Sequence, residues 1–169
     1  MQHLPCTFLR IRPAVSRTEE GGLVPGVPNP LRSVVPMLAY EDGVAALEWL
    51  ARVFGFHERT RSTDSNGRLM HGEMDAGEGV IMLASPTPDY ESPNRHREHC
   101  EAARKWLSVP WVINGVLVHV DDVDSHYERA KKAGARILSA PQDAPPGRLY
   151  RVEDLEGQRW MFLQPAISK

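Results

Sequence analysis

The hydrophobic and polar positions of the chain follow a strand–helix–three-strand order that occurs twice. In the first copy a short apolar run over residues 34–40 is followed by apolar residues at three- and four-residue spacing. That spacing predicts a helix that begins after the capping residue Asp42 and ends at Gly55. Three strands follow, and Asn66-Gly67 is typical of the tight turn between two of them. Residues 33–84 are therefore interpreted as a βαβββ module.

The second copy occupies residues 113–169. A strand is predicted at 116–120, and Asp121 or Asp122 can cap a helix that ends at Gly134. Several residues of the two copies lie eighty positions apart, among them the pairs Gly67 and Gly147, Glu73 and Glu153, and Leu83 and Leu163. A repeat of this length indicates a duplicated architecture. The sequence predicts an α+β fold of two tandem βαβββ modules that form a half-barrel around a cleft.

Two segments lie outside the modules. Residues 1–32 contain Gly-Gly, Pro-Gly and Pro-Asn-Pro but no periodic apolar pattern, which predicts a flexible N-terminal tail. Residues 85–112 are interpreted as an inter-module link with a helix within residues 94–107. His96 and Cys100 share a face of that helix, as a zinc pair can, but further ligands are missing. The apolar side of the helix is expected to dock, with Trp106 and Trp111 serving packing.

Composition narrows the classes of partner. The chain has 20 basic and 22 acidic residues and no basic stripe, which argues against nucleic acid. No apolar run approaches the roughly 18 residues of a membrane span, and the first residues hold no continuous apolar stretch typical of a signal peptide. The only cysteines are Cys6 and Cys100, which favours a reducing cytoplasm.

The duplicated plan resembles the glyoxalase/bleomycin-resistance/extradiol-dioxygenase superfamily, also called the vicinal oxygen chelate fold. The resemblance covers residues 34–165. It is carried by Val-Pro-Met-Leu-Ala-Tyr-Glu-Asp at 35–42, Val-Asp-Asp-Val-Asp at 120–124 and Tyr-Arg-Val-Glu-Asp-Leu-Glu-Gly at 150–157. Leu155 stands where the family usually has a proline.

The resemblance also implies where a metal would bind. In the metal-using members, the first and last strands of the modules supply His, Gln or carboxylate ligands to a divalent ion. Those positions carry Val35, Gly115, Met161 and either Ile81 or Met82 in this chain. None of these side chains suits a hard divalent ion. We therefore expect a metal-free branch of the family, without a cofactor.

Candidate ligand contacts follow from strand alternation. Leu117 and His119 are predicted to face the cleft, and Leu69, His71 and Glu73 to share one face of the third strand of the first module. Glu73 would favour an aromatic ligand with a positive charge. Methionine side chains adapt well to irregular apolar ligands. The predicted ligand-binding residues are Met37, His71, Glu73, Leu117, His119 and Met161.

These features support a small-molecule-binding protein that sequesters an apolar or aromatic ligand, as bleomycin-resistance-type proteins do, with no catalytic residue assigned. The alternative is a glyoxalase-like lyase or isomerase, or a dioxygenase, of unknown substrate. A metal-independent enzyme could use His119, His71 or Glu73 as a general base. A third interpretation is an interaction protein that uses the link or the tail. We also expect a homodimer, because open sheets leave strand edges and apolar surface uncovered.

Overall fold

The computed structural model describes residues 34–111 and 114–166, so the predicted tail over residues 1–32 lies outside the described residues. The first module contains β1 (Met37–Ala39), α1 (Gly43–Phe54), β2 (His57–Thr63), β3 (Leu69–Ala76) and β4 (Gly79–Ala84). Two helices follow, α2 (Pro93–His99) and α3 (Glu101–Leu107). The second module contains β5 (Val116–His119), α4 (Val123–Lys132), β6 (Arg136–Ala144), β7 (Gly147–Glu153) and β8 (Arg159–Pro165).

Each module forms one four-stranded sheet, and the two sheets have the same topology. Their strand orders are β1-β4-β3-β2 and β5-β8-β7-β6. In each sheet the first strand pairs in parallel with the last, and the remaining pairs are antiparallel. This arrangement confirms the α+β fold of two tandem βαβββ modules.

The predicted helix caps are present. The Asp42 carboxylate accepts a hydrogen bond from the Ala45 amide at 2.9 Å, and Gly55 ends α1 in the left-handed region at φ 76°. Of the two candidates for α4, Asp122 is the cap, and it accepts from the Ser125 amide at 3.0 Å. The buried residues of α1 face the first sheet and include Ala46, Leu47, Leu50, Val53 and Phe54.

Aromatic rings join the cores of the two modules. Phe54 at the end of α1 contacts Trp160 and Phe162 of β8, with ring centroids 5.6 and 4.9 Å apart. Phe56 contacts Trp160 at 5.4 Å in an edge-on arrangement. All four rings are at most 5 % exposed. The modules therefore share one hydrophobic core on their helix sides.

The turn between β7 and β8 holds the start of the first module. The Tyr40 hydroxyl donates to Asp154 at 2.7 Å. The Glu156 carboxylate accepts from the Glu41 and Asp42 amides at 2.8 and 2.9 Å, so a residue of the second module caps the N-terminus of α1. These bonds fix the two modules relative to each other.

The link contains two helices where one was predicted. Cys100 separates α2 from α3 in an extended conformation, with φ −108° and ψ 112°. Arg104 of α3 donates to the carbonyl of Glu98 at 2.8 Å, which satisfies a backbone group that a continuous helix would have paired. Ala103 is the one residue of these helices that is buried.

Candidate functional site: the open faces of the two sheets

Each sheet has one face packed on a helix and an opposite face, which we call the open face. Residues that lie directly opposite each other in paired strands form a row across that face. In the first sheet, Met37, Met82, Glu73 and Thr60 form one such row. Met37 is 78 % exposed and Met82 is half-buried. Two predicted ligand-binding residues, Met37 and Glu73, therefore lie in line on this face.

The charged groups of the first open face are paired with one another. The His71 ring nitrogen Nε2 lies 3.1 Å from a Glu73 carboxylate oxygen, and because that oxygen can only accept, Nε2 carries the hydrogen. Arg59 approaches Glu73 at 3.9 Å and Asp75 at 3.7 Å. The Glu73 carboxylate is thus engaged by two groups of its own sheet.

Leu69 departs from the predicted pattern. Thr63 pairs with Leu69 and Ser62 with His71, which leaves Met70 as an extra residue in β3. Such a bulge changes the alternation of side chains along a strand. Leu69 is fully buried on the helix side, whereas His71 and Glu73 stay on the open face. The prediction that all three share one face was wrong for Leu69.

The second open face carries the corresponding row. Leu117, Met161, Arg151 and Ser139 lie opposite one another across β5, β8, β7 and β6. Leu117 is 44 % exposed, and Met161 and Arg151 are half-buried. Comparison of the two rows places Arg151 where the first sheet has Glu73.

Sequence reasoning missed Arg151 because it paired residues at a constant offset of eighty, which relates Glu73 to Glu153. The β3–β4 turn spans residues 77–78, whereas the β7–β8 turn spans residues 154–158. The longer turn shifts the strand register, so that Glu73 corresponds to Arg151 instead. Alternation along a single strand could not have found Arg151, because its place opposite Met161 depends on how β7 pairs with β8.

A buried cluster of charges holds the link on the second sheet. Glu153 is fully buried and contacts Arg97 and Arg136 at 2.9 Å and Arg159 at 3.1 Å. The Arg159 guanidinium also donates to the carbonyls of Leu107 and Val109 at 2.7 Å each, and to that of Trp111. Arg159 and Met161 are two residues apart on one strand, so the end of the link lies beside the row that contains Met161.

The tryptophans of the link are not packed as predicted. Trp106 and Trp111 are each 60 % exposed, whereas Trp160 is fully buried. Within the described part of the chain, neither exposed indole stacks on another aromatic ring or on a cation. Trp106 also lines a groove of about 250 Å³ together with Tyr90, His96 and Arg159. The link therefore presents uncovered aromatic surface.

His119 lies apart from the other predicted contacts. It is exposed at the end of β5, opposite Leu163. It lines a groove of about 640 Å³ at the junction of the modules, which none of the other five predicted ligand-binding residues reaches. The same groove contains His126, which is 5 % exposed. Burial, with a smaller contribution from Arg129, lowers the pKa of His126 to about 4.

The positions that carry the family's metal ligands do not fit a metal. Ile81 is 2 % exposed and points into the core, and Met161 offers only a thioether. The described residues contain no group of three or more His, Cys, Asp or Glu side chains arranged to hold an ion. In the link, His99 is hydrogen-bonded to Glu91 at 2.9 Å.

No helix among the described residues is long and apolar enough to cross a membrane.

Comparison with solved structures gives the same fold. TioX from Micromonospora sp. ML1 is 35% identical, with a TM-score of 0.58, and the match covers 80% of this chain and 98% of that one. TnmS3, an antibiotic binding protein from Streptomyces sp. CB03234, is 18% identical, with a TM-score of 0.53 over 82% of this chain and all of its own. The fosfomycin resistance protein FosX from Listeria monocytogenes, solved as a point mutant in complex with Mn(II), is 14% identical, with a TM-score of 0.53 over 79% and 89%.

The curated relatives are mycobacterial. An uncharacterized Mycobacterium tuberculosis protein, Rv0887c, is 27% identical over 135 residues, which is 77% of this chain and 72% of the relative. The family model of the Glyoxalase/Bleomycin resistance protein/Dioxygenase superfamily matches residues 33–162, a range that runs from the start of the first module into the last strand of the second. The chain therefore belongs to the glyoxalase/bleomycin resistance protein/dioxygenase superfamily.

Proposed function

We propose that this protein is a metal-independent binding protein that sequesters an apolar or aromatic small molecule on the open faces of its sheets. The observation that carries the proposal is the pair of corresponding rows. Each combines exposed or half-buried apolar side chains, Met37 and Met82 or Leu117 and Met161, with one charged group. Small-molecule sites commonly join mostly apolar surface with a few polar anchors.

The family metal positions support the metal-independent part of the proposal. Val35, Ile81 and Met161 occupy them in this chain, and none can supply an oxygen or imidazole ligand. The structural neighbour TnmS3 is an antibiotic binding protein, which is consistent with a binding role for this fold. We extend the same type of role to this chain.

A thermal-shift screen with apolar and aromatic compounds tests the proposal. A ligand at a hundred times its dissociation constant should stabilise the protein by about 2.7 kcal/mol, which raises the melting temperature by several degrees. Met161→Ala should weaken the binding of hits by removing contact area in the second row. Met70→Ala is the matched control, because Met70 is 54 % exposed but belongs to neither row.

Two results would contradict the binding proposal. One is a screen in which no compound shifts the melt. The other is a set of hits whose affinities stay the same in Met161→Ala and Met37→Ala, whether or not His119→Ala changes them.

A metal-independent enzyme is the second candidate, and the His71–Glu73 contact favours it. A carboxylate that holds Nε2–H orients the ring and leaves Nδ1 free to accept a proton, as a general base requires. Turnover of the hemithioacetal of methylglyoxal and glutathione, unaffected by chelators and lost in His71→Ala, would support it. Absence of turnover with that substrate would leave the binding function as the better account.

We further propose a homodimer in a reducing cytoplasm. Exposed apolar side chains near the first strands, Val34 at 79 %, Met37 and Leu117, would be covered by association. Light scattering at micromolar concentration should give twice the monomer mass, and a monomer mass would refute the dimer. Cys100 is a free thiol among the residues that the structure describes, which is consistent with a reducing compartment; fractionation of cells that express the protein would test this.

A further inference from the structure

We propose that the second open face binds a planar aromatic anion, with Arg151 as the anchor of the negative group and the link tryptophans as aromatic contacts. This inference rests on the proposed binding function and specifies the chemistry of its ligand. The proposed ligand is negatively charged, whereas Glu73 alone would favour a positively charged one.

The argument begins with the two corresponding charged positions. Glu73 in the first row is contacted by His71 at 3.1 Å and by Arg59 at 3.9 Å, so its carboxylate already has partners within its own sheet. Arg151 in the second row makes no ion pair or side-chain hydrogen bond with any other residue that the structure describes. Of the two charged groups at corresponding row positions, Arg151 is therefore the one without a partner among the described residues, and it is positive.

The acidic residue that could have paired with Arg151 is used elsewhere. Glu153 lies two residues along the same strand, but it is fully buried under the link and contacts three other arginines. Arg151 is itself half-buried between β8 and β6. A guanidinium in that position gains most from a carboxylate or phenolate, to which it can donate two parallel hydrogen bonds.

The neighbourhood of Arg151 favours a flat apolar body attached to that anion. Met161 and Leu117 continue its row on one side, and both can pack against a ring. Arg159 lies two residues before Met161 on β8. Its guanidinium holds the link by donating to the carbonyls of Leu107, Val109 and Trp111. The exposed indoles of Trp106 and Trp111 thus belong to the segment whose backbone Arg159 binds, beside the row that contains Met161. Uncovered aromatic side chains offer a flat ring a large apolar contact area.

Three probes separate the contributions of charge and ring. 9-Anthracenecarboxylate is a planar anion, 9-anthracenemethanol has the same rings without the charge, and 9-aminoacridine is a planar cation. Calorimetric titration should give wild-type protein about tenfold or higher preference for the carboxylate over the alcohol, as a charge-assisted hydrogen bond provides. The cation should bind most weakly.

Variants assign this preference to residues. Arg151→Gln should abolish the preference for the carboxylate, and Arg151→Lys should keep part of it. Arg148→Gln is the matched control, because Arg148 lies on the same strand but its guanidinium is paired with Asp124 and Asp143, and it should leave the preference unchanged. Replacing Trp106 and Trp111 together by leucine should weaken the carboxylate and the alcohol by similar factors, because both share the rings. Melting curves and light scattering on each variant verify that fold and oligomeric state are kept.

Several outcomes would overturn the inference. They are equal affinity of the wild type for carboxylate and alcohol, an Arg151→Gln variant that keeps the preference, and a loss of dimer mass in the tryptophan variant, which would identify an interface between copies. If none of the three probes binds while other compounds shift the melt, the inference fails and the binding function stands. A screen without any hit contradicts the binding function itself.

Discussion

Asp154 and His126 should make opposite contributions to the pH dependence of stability, and the two contributions should nearly cancel. Asp154 is 4 % exposed in the β7–β8 turn. Burial raises its pKa from 3.8 to about 6, although hydrogen bonds from Tyr40 and Trp160 and from two turn amides oppose the shift. His126, beside Arg129, has its pKa lowered by burial from 6.5 to about 4.

The signs follow from proton binding. Asp154 has a pKa of 3.8 in the unfolded chain and about 6 in the folded protein, so between these values only the folded protein binds the proton. The free energy of unfolding therefore falls as pH rises, by about 3 kcal/mol in total. His126 has a pKa of 6.5 in the unfolded chain and about 4 in the folded protein, so between these values only the unfolded chain binds the proton. The free energy of unfolding therefore rises with pH by about the same amount. Both changes occur between about pH 4 and 6.5, which is why they offset each other.

Single variants should expose each contribution. Asp154→Asn should leave the rising contribution of His126, and His126→Gln should leave the falling contribution of Asp154, as measured by urea unfolding from about pH 4 to 7. Asp154→Asn should also be less stable by about 1–3 kcal/mol, because an amide cannot accept from both Tyr40 and Trp160 while it keeps its bonds to the turn amides.

The control is Asp143→Asn, which removes one carboxylate from a side chain that is 87 % exposed and should change the slope little. Identical pH slopes in wild type and Asp154→Asn would refute the reasoning for Asp154. They would mean that its four hydrogen bonds fully offset burial of the carboxylate.

Three further predictions concern stability and composition. Gly147→Ala should cost about 3 kcal/mol or more in urea unfolding, because φ is 141° and a Cβ would collide with the Gln164 carbonyl; Gly67→Ala, with open space around it, should cost about 1 kcal/mol. Arg159→Met should cost about 3–5 kcal/mol and make the link sensitive to proteolysis, because it removes a partner of the buried Glu153. Elemental analysis of tag-free protein dialysed against nickel, cobalt and zinc should find no stoichiometric metal; one tightly held ion per chain would contradict this.

Local signals predicted the modules well because they act over a few residues. Asp42 and Gly55 begin and end α1 by capping interactions that their own side chain and backbone dictate, and the apolar spacing of α1 determines its buried face. The burial of Leu69 was not predictable in this way. It depends on the extra residue Met70 in β3, which appears only when β3 pairs with β2.

The site was less predictable because its chemistry depends on contacts between distant segments. A duplicated sequence suggests two equivalent open faces, yet the link lies on the second sheet. There Arg159 donates to carbonyls of the link, and Glu153 forms ion pairs with three arginines. Those contacts bury one acid, and the longer β7–β8 turn shifts the register so that Arg151 replaces an acid in the row. The duplication therefore produces one row whose charged group, Glu73, has partners in its own sheet and one whose charged group, Arg151, has none among the described residues. That asymmetry is a property of the turn length and the link, and it is what gives the second face its expected preference for an anion.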